Sequence, residues 1–363
     1  MNKQNISLDY CFRCSSGCNF DYFSKMKKRH TSLKDLADEL GISISTVSRA
    51  LKNNPIISPE LTVKIQELAA RRNYIPNPLA MGLLKQQTKM IGVIVPDLVT
   101  HFYSSIISGM EEVAKENGYY IIIASSNESL EKEKESVNNL LKSRVEGLIV
   151  CISQETNSFE HFELLIKNEI PLVFFDRVVE LLEVPSVTVD GAEAAKNVTR
   201  HFYENGCRRI AYISGPEHLN ISKNRKEGYL KGLQECGLKL IPDLLVECNL
   251  NAEEATLATQ KLLSLNQIPD AIFGINDTIA FAAMKEIKKH KLRIPDDIAL
   301  VGFTDEFHST VVEPALTSVT HPTLQMGREA ARLFFDCIEK GTGFDEKVLL
   351  QTKLVVRESS VKR

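Results

Sequence analysis

In the stretch GISISTVSRAL, residues 41–51, the short hydroxyls of Ser43, Ser45, Thr46 and Ser48 stand beside Ile44 and Arg49. Such hydroxyls fit close to base edges and phosphates, an arginine can donate two hydrogen bonds to guanine O6 and N7, and an isoleucine can meet a thymine methyl. The same residues would also suit a solvated helix in any small bundle. A second polar set lies far along the chain. Asp97 follows GVIVP, Asp176 and Arg177 follow PLVFF, Asp190 follows SVTV, Asn276 and Asp277 follow AIFGI, and Thr304 and Asp305 follow ALVGF. Carboxylates and amides accept hydroxyl hydrogens, and an arginine donates to ring or hydroxyl oxygens, so together they suit a neutral polyol. Taken singly, each is more commonly a helix cap, and Asp277 in particular is expected to cap its helix. Five converging ends are harder to explain by capping alone.

A third set is C-x2-C-x3-C at Cys11, Cys14 and Cys18. Structural zinc usually takes four ligands, and His30 is the one nearby residue able to complete them. The plainer expectation is a disordered extension over residues 1–30, with no metal and no cofactor, and with Met26 before the basic run KKRH as an alternative start. The other cysteines (Cys151, Cys207, Cys236, Cys248 and Cys337) are scattered singly, as expected of reduced packing thiols. No run of about 18 uncharged apolar residues exists to span a bilayer. The N-terminus also lacks the apolar core of a secretory signal, so a cytoplasmic protein without membrane association is expected. The absence of G-x-S-x-G, H-E-x-x-H, G-x-G-x-x-G and any Gly-Lys pair argues against the commoner enzyme chemistries.

The first polar set needs a helix to present it. Ser32, with Asp35 three positions on, forms a capping-box pattern before the stripe Leu33, Leu36, Ala37, Leu40, and Gly41 is placed to end that helix. Ser43 can cap a second helix to about Leu51, with Val47, Ala50 and Leu51 inward and Ile44, Ser45, Ser48 and Arg49 outward. Pro59 after Ser58 starts a third, with the stripe Leu61, Ile65, Leu68, Ala69. Helix, short turn, helix is the arrangement whose second helix enters the major groove by its N-terminal part. Charge agrees: residues 26–89 hold eleven Lys/Arg against five Asp/Glu, a net of +6, whereas the residues after Lys89 carry −10. A basic module joined to an acidic one is expected where only one end meets phosphate.

The second set needs strand ends. From Lys89 the chain alternates apolar strands (IGVIVPD, YYIIIASS, VEGLIVC, PLVFFD, SVTVD) with helical stretches, and a second such series starts after Asp190. Alternation of this kind implies parallel sheets flanked by helices, and two series imply two lobes. Ligands in open parallel sheets sit beyond the carboxyl ends of the strands.

The motifs SLKDLADELGISISTVSRAL, NYIPNPLA with Leu83, and KMIGVIVPDL occur in that order. Over residues 31 to about 357 the sequence resembles the LacI/GalR family of bacterial transcription regulators. The resemblance implies an α/β fold: a helix-turn-helix headpiece and hinge helix, then a two-lobed core like the periplasmic sugar-binding proteins. It implies that Asn77–Leu84 is a hinge helix that folds on operator DNA, with Leu83 wedged into a minor-groove base step; a linker leucine packed on the core is the alternative. Met81 stands where members often carry a basic residue. Asn73, Tyr74, Asn77, Ala80, Met81 and Leu83 accordingly join the DNA-binding candidates. Arg225 and Asn276 match effector contacts of the family, and Phe102, Asp176 and Arg177 are further candidates from the first lobe. Thr304 occupies the usual first acidic position after the VGF strand. Either Asp305 substitutes in a shifted register, or the ligand lacks the hydroxyl pair an acid would hold.

The expected function is a ligand-responsive repressor that binds a pseudopalindromic operator as a homodimer and is switched by a small polar effector, a sugar for preference. A nucleoside, a protein partner, or a sugar-binding protein without DNA function are the alternatives. Dimerisation is expected through helices matching Tyr103–Asn117 and Thr278–His290, using Ile106/Met110/Val113 and Phe281/Met284/Ile287. The expected divisions are 1–30, a headpiece at 31–76, a hinge and linker at 77–88, and a core at 89–357. Its lobes are expected near 89–189 plus 320–340 and 190–319 plus 341–357.

Overall fold

The computed structural model describes residues 31–74, 87–341 and 343–362. The C-x2-C-x3-C cysteines Cys11, Cys14 and Cys18 with His30, weighed as a metal set and not expected to hold one, and the hinge positions Asn77, Ala80, Met81 and Leu83 lie outside the described residues. Residues 31–74 belong to one compact unit and 87–362 to another. Among the described residues, no helix is long and apolar enough to cross a membrane.

The first unit is three helices, α1 (Leu33–Leu40), α2 (Ile44–Leu51) and α3 (Pro59–Arg71). Each start is fixed by a serine: Ser32 makes the full capping box with Asp35, Ser43 accepts from Thr46 N–H, and Ser58 accepts from Leu61 N–H ahead of Pro59. Gly41 ends α1 at φ 65°, a left-handed conformation that glycine adopts without a Cβ clash. Leu36, Ala37, Val47, Ala50, Ile65, Leu68 and Ala69 form the core.

The second unit contains two six-stranded sheets. The first is built from β1 (Met90–Val95), β2 (Tyr120–Ser125), β3 (Leu148–Val150), β4 (Leu172–Phe175), β5 (Ser186–Val189) and β11 (Lys347–Leu350), in the order β11-β5-β4-β3-β1-β2 and parallel throughout. Its helices are α4 (His101–Glu116), α5 (Leu130–Lys142), α6 (Glu160–Lys167) and α11 (Thr323–Lys340). The second sheet has the order β12-β10-β9-β8-β6-β7. Its strands are β6 (Ile210–Ser214), β7 (Leu245–Glu247), β8 (Ala271–Gly274), β9 (Ala299–Thr304), β10 (Thr317–Thr320) and β12 (Leu354–Val355), the last antiparallel. Helices α7 (Gly191–Glu204), α8 (Asn220–Glu235), α9 (Ala252–Leu263) and α10 (Asp277–Lys289) cover it.

Central strands such as β3, β4, β6 and β8 are buried at every position, as unbroken apolar runs must be when helices cover both faces. In each lobe one helix pair crosses at glycine: a Cβ at Gly109 would overlap the Leu324 carbonyl across the α4–α11 contact, and one at Gly228 the Ala192 carbonyl across α7–α8.

The chain passes between lobes three times, after β5, after β10 and between β11 and β12. The division expected for 341–357 is therefore corrected. Lys347–Leu350 pairs in parallel with Ser186–Val189 in the first lobe, and only the part from Leu354 onward joins the second. The apolar faces assigned to dimer contact are also largely core. Ile106, Met110, Met284 and Ile287 are buried within one chain, beneath the helices and sheets of their own lobes. The exposed apolar residues are elsewhere, including Tyr120 and Ile123 on the edge strand β2.

Candidate ligand cleft and nucleic-acid interface

On the headpiece, α2 turns Val47 and Ala50 inward and leaves Ile44, Ser45 and Arg49 exposed, with Ser48 half-buried. Ser43 Oγ lies 2.7 Å from Ser45 Oγ and 2.8 Å from Thr46 Oγ1, so three hydroxyls gather where the helix N-terminus leaves N–H groups free. The positive end of the helix dipole and these hydroxyls favour a phosphate oxygen, and Arg49 stands one turn further along. Asn73 is exposed with φ 47°. Tyr74 packs against the headpiece core, where burial raises its phenol pKa.

In the core, a cavity of ≈ 330 Å³ lies between the two sheets' carboxyl ends. It is within the range of small-molecule sites, roughly 300–1,000 Å³. Seven of the nine expected ligand residues line it: Asp97, Phe102, Asp176, Arg177, Arg225, Asn276 and Thr304. Both lobes contribute, because parallel strands place their polar C-terminal residues at one edge of each sheet.

These side chains are not equally free. Asp97 accepts the loop N–H groups of Val99 (2.9 Å) and Thr100 (3.2 Å), holding the turn into α4. Arg177 is buried and spends both terminal nitrogens on Glu128, at 2.8 and 3.0 Å. Arg225, also buried, donates to the Ile275 carbonyl at 2.6 Å and lies over the Phe303 ring. Burial lowers its pKa, with the nearby Asp176 carboxylate opposing the shift, and no carboxylate among the described residues comes within ion-pair distance of it. Asp176 is buried at φ 57°, its carboxylate 3.7 Å from His321 Nε2 and 4.0 Å from the Cys151 sulfur. Thr100 Oγ1, Thr304 Oγ1, Arg177 Nε and Arg225 Nε are buried without hydrogen-bond partners among the described residues.

Two expected residues lie outside the cavity lining. Asp190 caps α7, accepting the Glu193 N–H at 2.9 Å, so capping explains it fully. Asp305 turns away: its N–H donates to Ser318 Oγ (3.1 Å) and its carboxylate takes Arg357 at 2.7 Å. Thr304 at φ 119° and Asp305 at φ 52° redirect the backbone, and the acidic residue of this loop that lines the cavity, beside Thr304, is Glu306. Burial, with Asp277 nearby, raises the Glu306 pKa.

Asp277 differs from its expected role as well. The cap of α10 is Asn276, whose Oδ1 accepts Ile279 N–H at 2.9 Å. Asp277 is fully buried and accepts Glu306 N–H (2.8 Å), Ser309 Oγ–H (2.8 Å) and Ser318 Oγ–H (2.6 Å). It fixes the loop that presents Glu306, and burial pushes its pKa up while these donors oppose the shift.

Sequence reasoning missed Thr100, Tyr103, Glu128, Asn251 and Glu306 among the lining residues. Glu128 follows the strand YYIIIASS, so the strand-end rule applied there would have found it. Asn251 follows β7, too short to stand out. The five single cysteines are free thiols, four of them buried, with pKa values raised by burial. No group of three His, Cys, Asp or Glu among the described residues could hold a metal.

Comparison with known proteins agrees with this two-part construction. Residues 32–77 match the family model for bacterial regulatory proteins of the lacI family, and residues 88–358 that for periplasmic binding proteins and the sugar-binding domain of the LacI family. Catabolite control protein A of Priestia megaterium is 33% identical over 333 residues, covering 91% of this chain and 99% of its own. The lac repressor dimer bound to operator and the anti-inducer ONPF superposes with a TM-score of 0.79 at 25% identity, covering 92% of this chain and 100% of its own. The transcriptional regulator CelR–cellobiose complex does so with a TM-score of 0.70 at 26% identity, covering 91% and 100%. With family models matched over headpiece and core alike, the chain belongs to the LacI family of bacterial regulatory proteins.

Proposed function

We propose that this regulator represses transcription as a homodimer on a pseudopalindromic operator, and that a neutral sugar between the core lobes switches it. The observation carrying the ligand class is the set of buried polar atoms without partners on Thr100, Thr304, Arg177 and Arg225, all residues of one cavity. Buried polar atoms are rarely left unpaired, so a ligand offering both hydroxyl donors and oxygen acceptors fits them. Phe102 and Tyr103 supply the apolar face such a ring packs on. The paired Glu128 and Arg177 cancel, and Asp176 and Glu306 favour a ligand rich in hydroxyl donors over an anion. The relatives solved with cellobiose and with ONPF are in keeping with this reading.

On the DNA side, Ser43, Ile44, Ser45, Thr46, Ser48 and Arg49 read the major groove, and Asn73 and Tyr74 hold the end of the headpiece. Asn77, Ala80, Met81 and Leu83 act at the minor groove. Twofold symmetry of the dimer requires a palindromic pair of half-sites. Tyr120 and Ile123 on the β2 edge offer apolar surface to the second copy. The cleft binds and does no chemistry in this reading.

Fluorescence-anisotropy titration of the purified chain against its own upstream DNA, at fixed salt, tests the proposal with a panel of sugars and nucleosides. One sugar that changes the affinity identifies effector and sign together, because ligand and operator must alter each other's binding by the same factor. Tight binding indifferent to every sugar would overturn the effector class.

A further inference from the structure

The two lobes are joined across the cleft by the amide side chains of Asn220 and Gln154 and by the imidazole of His218. Asn220, the first residue of α8 in the second lobe, is buried. Its Nδ2 donates to the Asp176 carbonyl at 3.1 Å, and its Oδ1 accepts the Val178 N–H at 3.0 Å, both in the first lobe. Gln154, after β3 in the first lobe, accepts the Leu250 N–H at 2.8 Å on Oε1, and its carbonyl lies 2.7 Å from His218 Nε2, both in the second. Gln154 N–H in turn donates to Glu128 Oε2 at 2.7 Å, the same oxygen that takes Arg177.

We infer that Asn220 is a positioning residue for the effector site and that Asn220 and Gln154 together form one cooperative interlobe latch. Asp176 sits in the left-handed region, uncommon for a residue with a Cβ though tolerated by aspartate better than by most, so its surroundings help hold it there. Its N–H is fixed by the Val187 carbonyl, in its own lobe, whereas its carbonyl and the next N–H but one are held from the opposite lobe. Lobe separation therefore releases the backbone that aims the Asp176 carboxylate into the cavity. At the other contact it removes the partner of Leu250, beside Asn251 and Ala252 of the cavity wall. Closure of the lobes and formation of the ligand-competent cavity become one event. Any change that opens the latch lowers apparent affinity by the fraction of chain left closed.

The consequence for affinity rests on the proposed reading of Asp176 as an effector ligand; the latch itself is readable with no sugar present. Hydrogen exchange of the full-length chain, without sugar, reports the opening of each amide. Asn220→Ala is expected to speed exchange at Leu250, whose partner is Gln154, by about tenfold, and Gln154→Ala to do the same at Val178, on the scale of one or two lost hydrogen bonds. Asn220→Asp keeps the acceptor for Val178 and loses the donor to Asp176, so an intermediate rate is expected. Unchanged protection in β3 and β8 shows that the variants are folded. If each variant speeds only its own amide, the two contacts are independent and the latch is overturned. If the latch behaves as expected but no sugar in the panel binds the unaltered chain, the effector reading fails and the latch stands.

Discussion

The guanidinium of Arg225 lies over the ring of Phe303, 3.7 Å from its centroid, with one hydrogen bond to the Ile275 carbonyl. This buried cation is supported by a ring face and a carbonyl, has no carboxylate at ion-pair distance among the described residues, and keeps its Nε–H without a partner among them, so in the proposed reading it can donate to the sugar. Arg225→Ala should abolish the sugar response and leave sugar-free operator affinity in place. Arg225→Lys keeps the charge but loses the planar stack and the fork. It should weaken sugar binding by about 1.5–3 kcal/mol, the range for a hydrogen bond to a charged group. Calorimetry with the sugar found in the anisotropy panel reads both, and a retained response in the alanine variant would remove Arg225 from the site.

On the headpiece, Arg49 is exposed on the face of α2 opposite Val47 and Ala50. Arg49→Ala should reduce discrimination at one operator base pair by about 1–3 kcal/mol, with little effect elsewhere. Competition binding with every single-base operator variant measures this. A uniform loss across all positions would make Arg49 a phosphate contact instead.

Much of this was legible in the sequence, and for separable reasons. Helix starts and strand ends were readable because they depend on neighbours in the chain: Ser32 with Asp35, Ser43 with Thr46, an apolar run followed by an acid. Arg225 was reached only through family resemblance, since nothing local marks an arginine inside α8 as buried. Asp305 and Glu306 could not be told apart, because positive φ at Thr304 and Asp305 redirects which acidic side chain faces the cavity. That redirection is set by Asp277, Ser318 and Arg357, which meet only in the folded chain. Strand β11 was misassigned because its partner, Ser186–Val189, lies more than a hundred residues away and no local pattern chooses between two sheets.

Asp277 is the support for the loop carrying Glu306, so its loss should act on stability and ligand together. Asp277→Ala leaves the Glu306 N–H and two serine hydroxyls without their acceptor. At about 1–3 kcal/mol for a buried donor left unsatisfied, a loss of at least several kcal/mol is expected. Gly302→Ala tests the same contact from the other side, since a Cβ there would overlap the Asp277 carboxylate. Both variants should lower the urea midpoint of the core, and both should reduce sugar affinity in whatever folded protein remains. Full stability in either would show that the loop is anchored elsewhere.

His321, on the crossing between β10 and α11, is buried with neither ring nitrogen hydrogen-bonded among the described residues, and it packs edge-on to Phe102 at 4.8 Å. Burial lowers its pKa from the ordinary 6.5 to about 4, with Asp176 opposing and Arg225 adding to the shift. In the unfolded chain the ring takes a proton near pH 6.5, and in the folded chain it does not until about pH 4. Its contribution is therefore complete above pH 6.5 and falls away as the pH drops toward 4, by at most about 3.4 kcal/mol at 1.36 kcal/mol per unit. Glu306 and Asp277, with raised values, change stability in the opposite sense, so the comparison must be between variants. Urea unfolding of the core at pH 7.5 and pH 5 should show a smaller drop for His321→Leu than for the unaltered chain. An equal drop in the two proteins would place the acid sensitivity outside this ring.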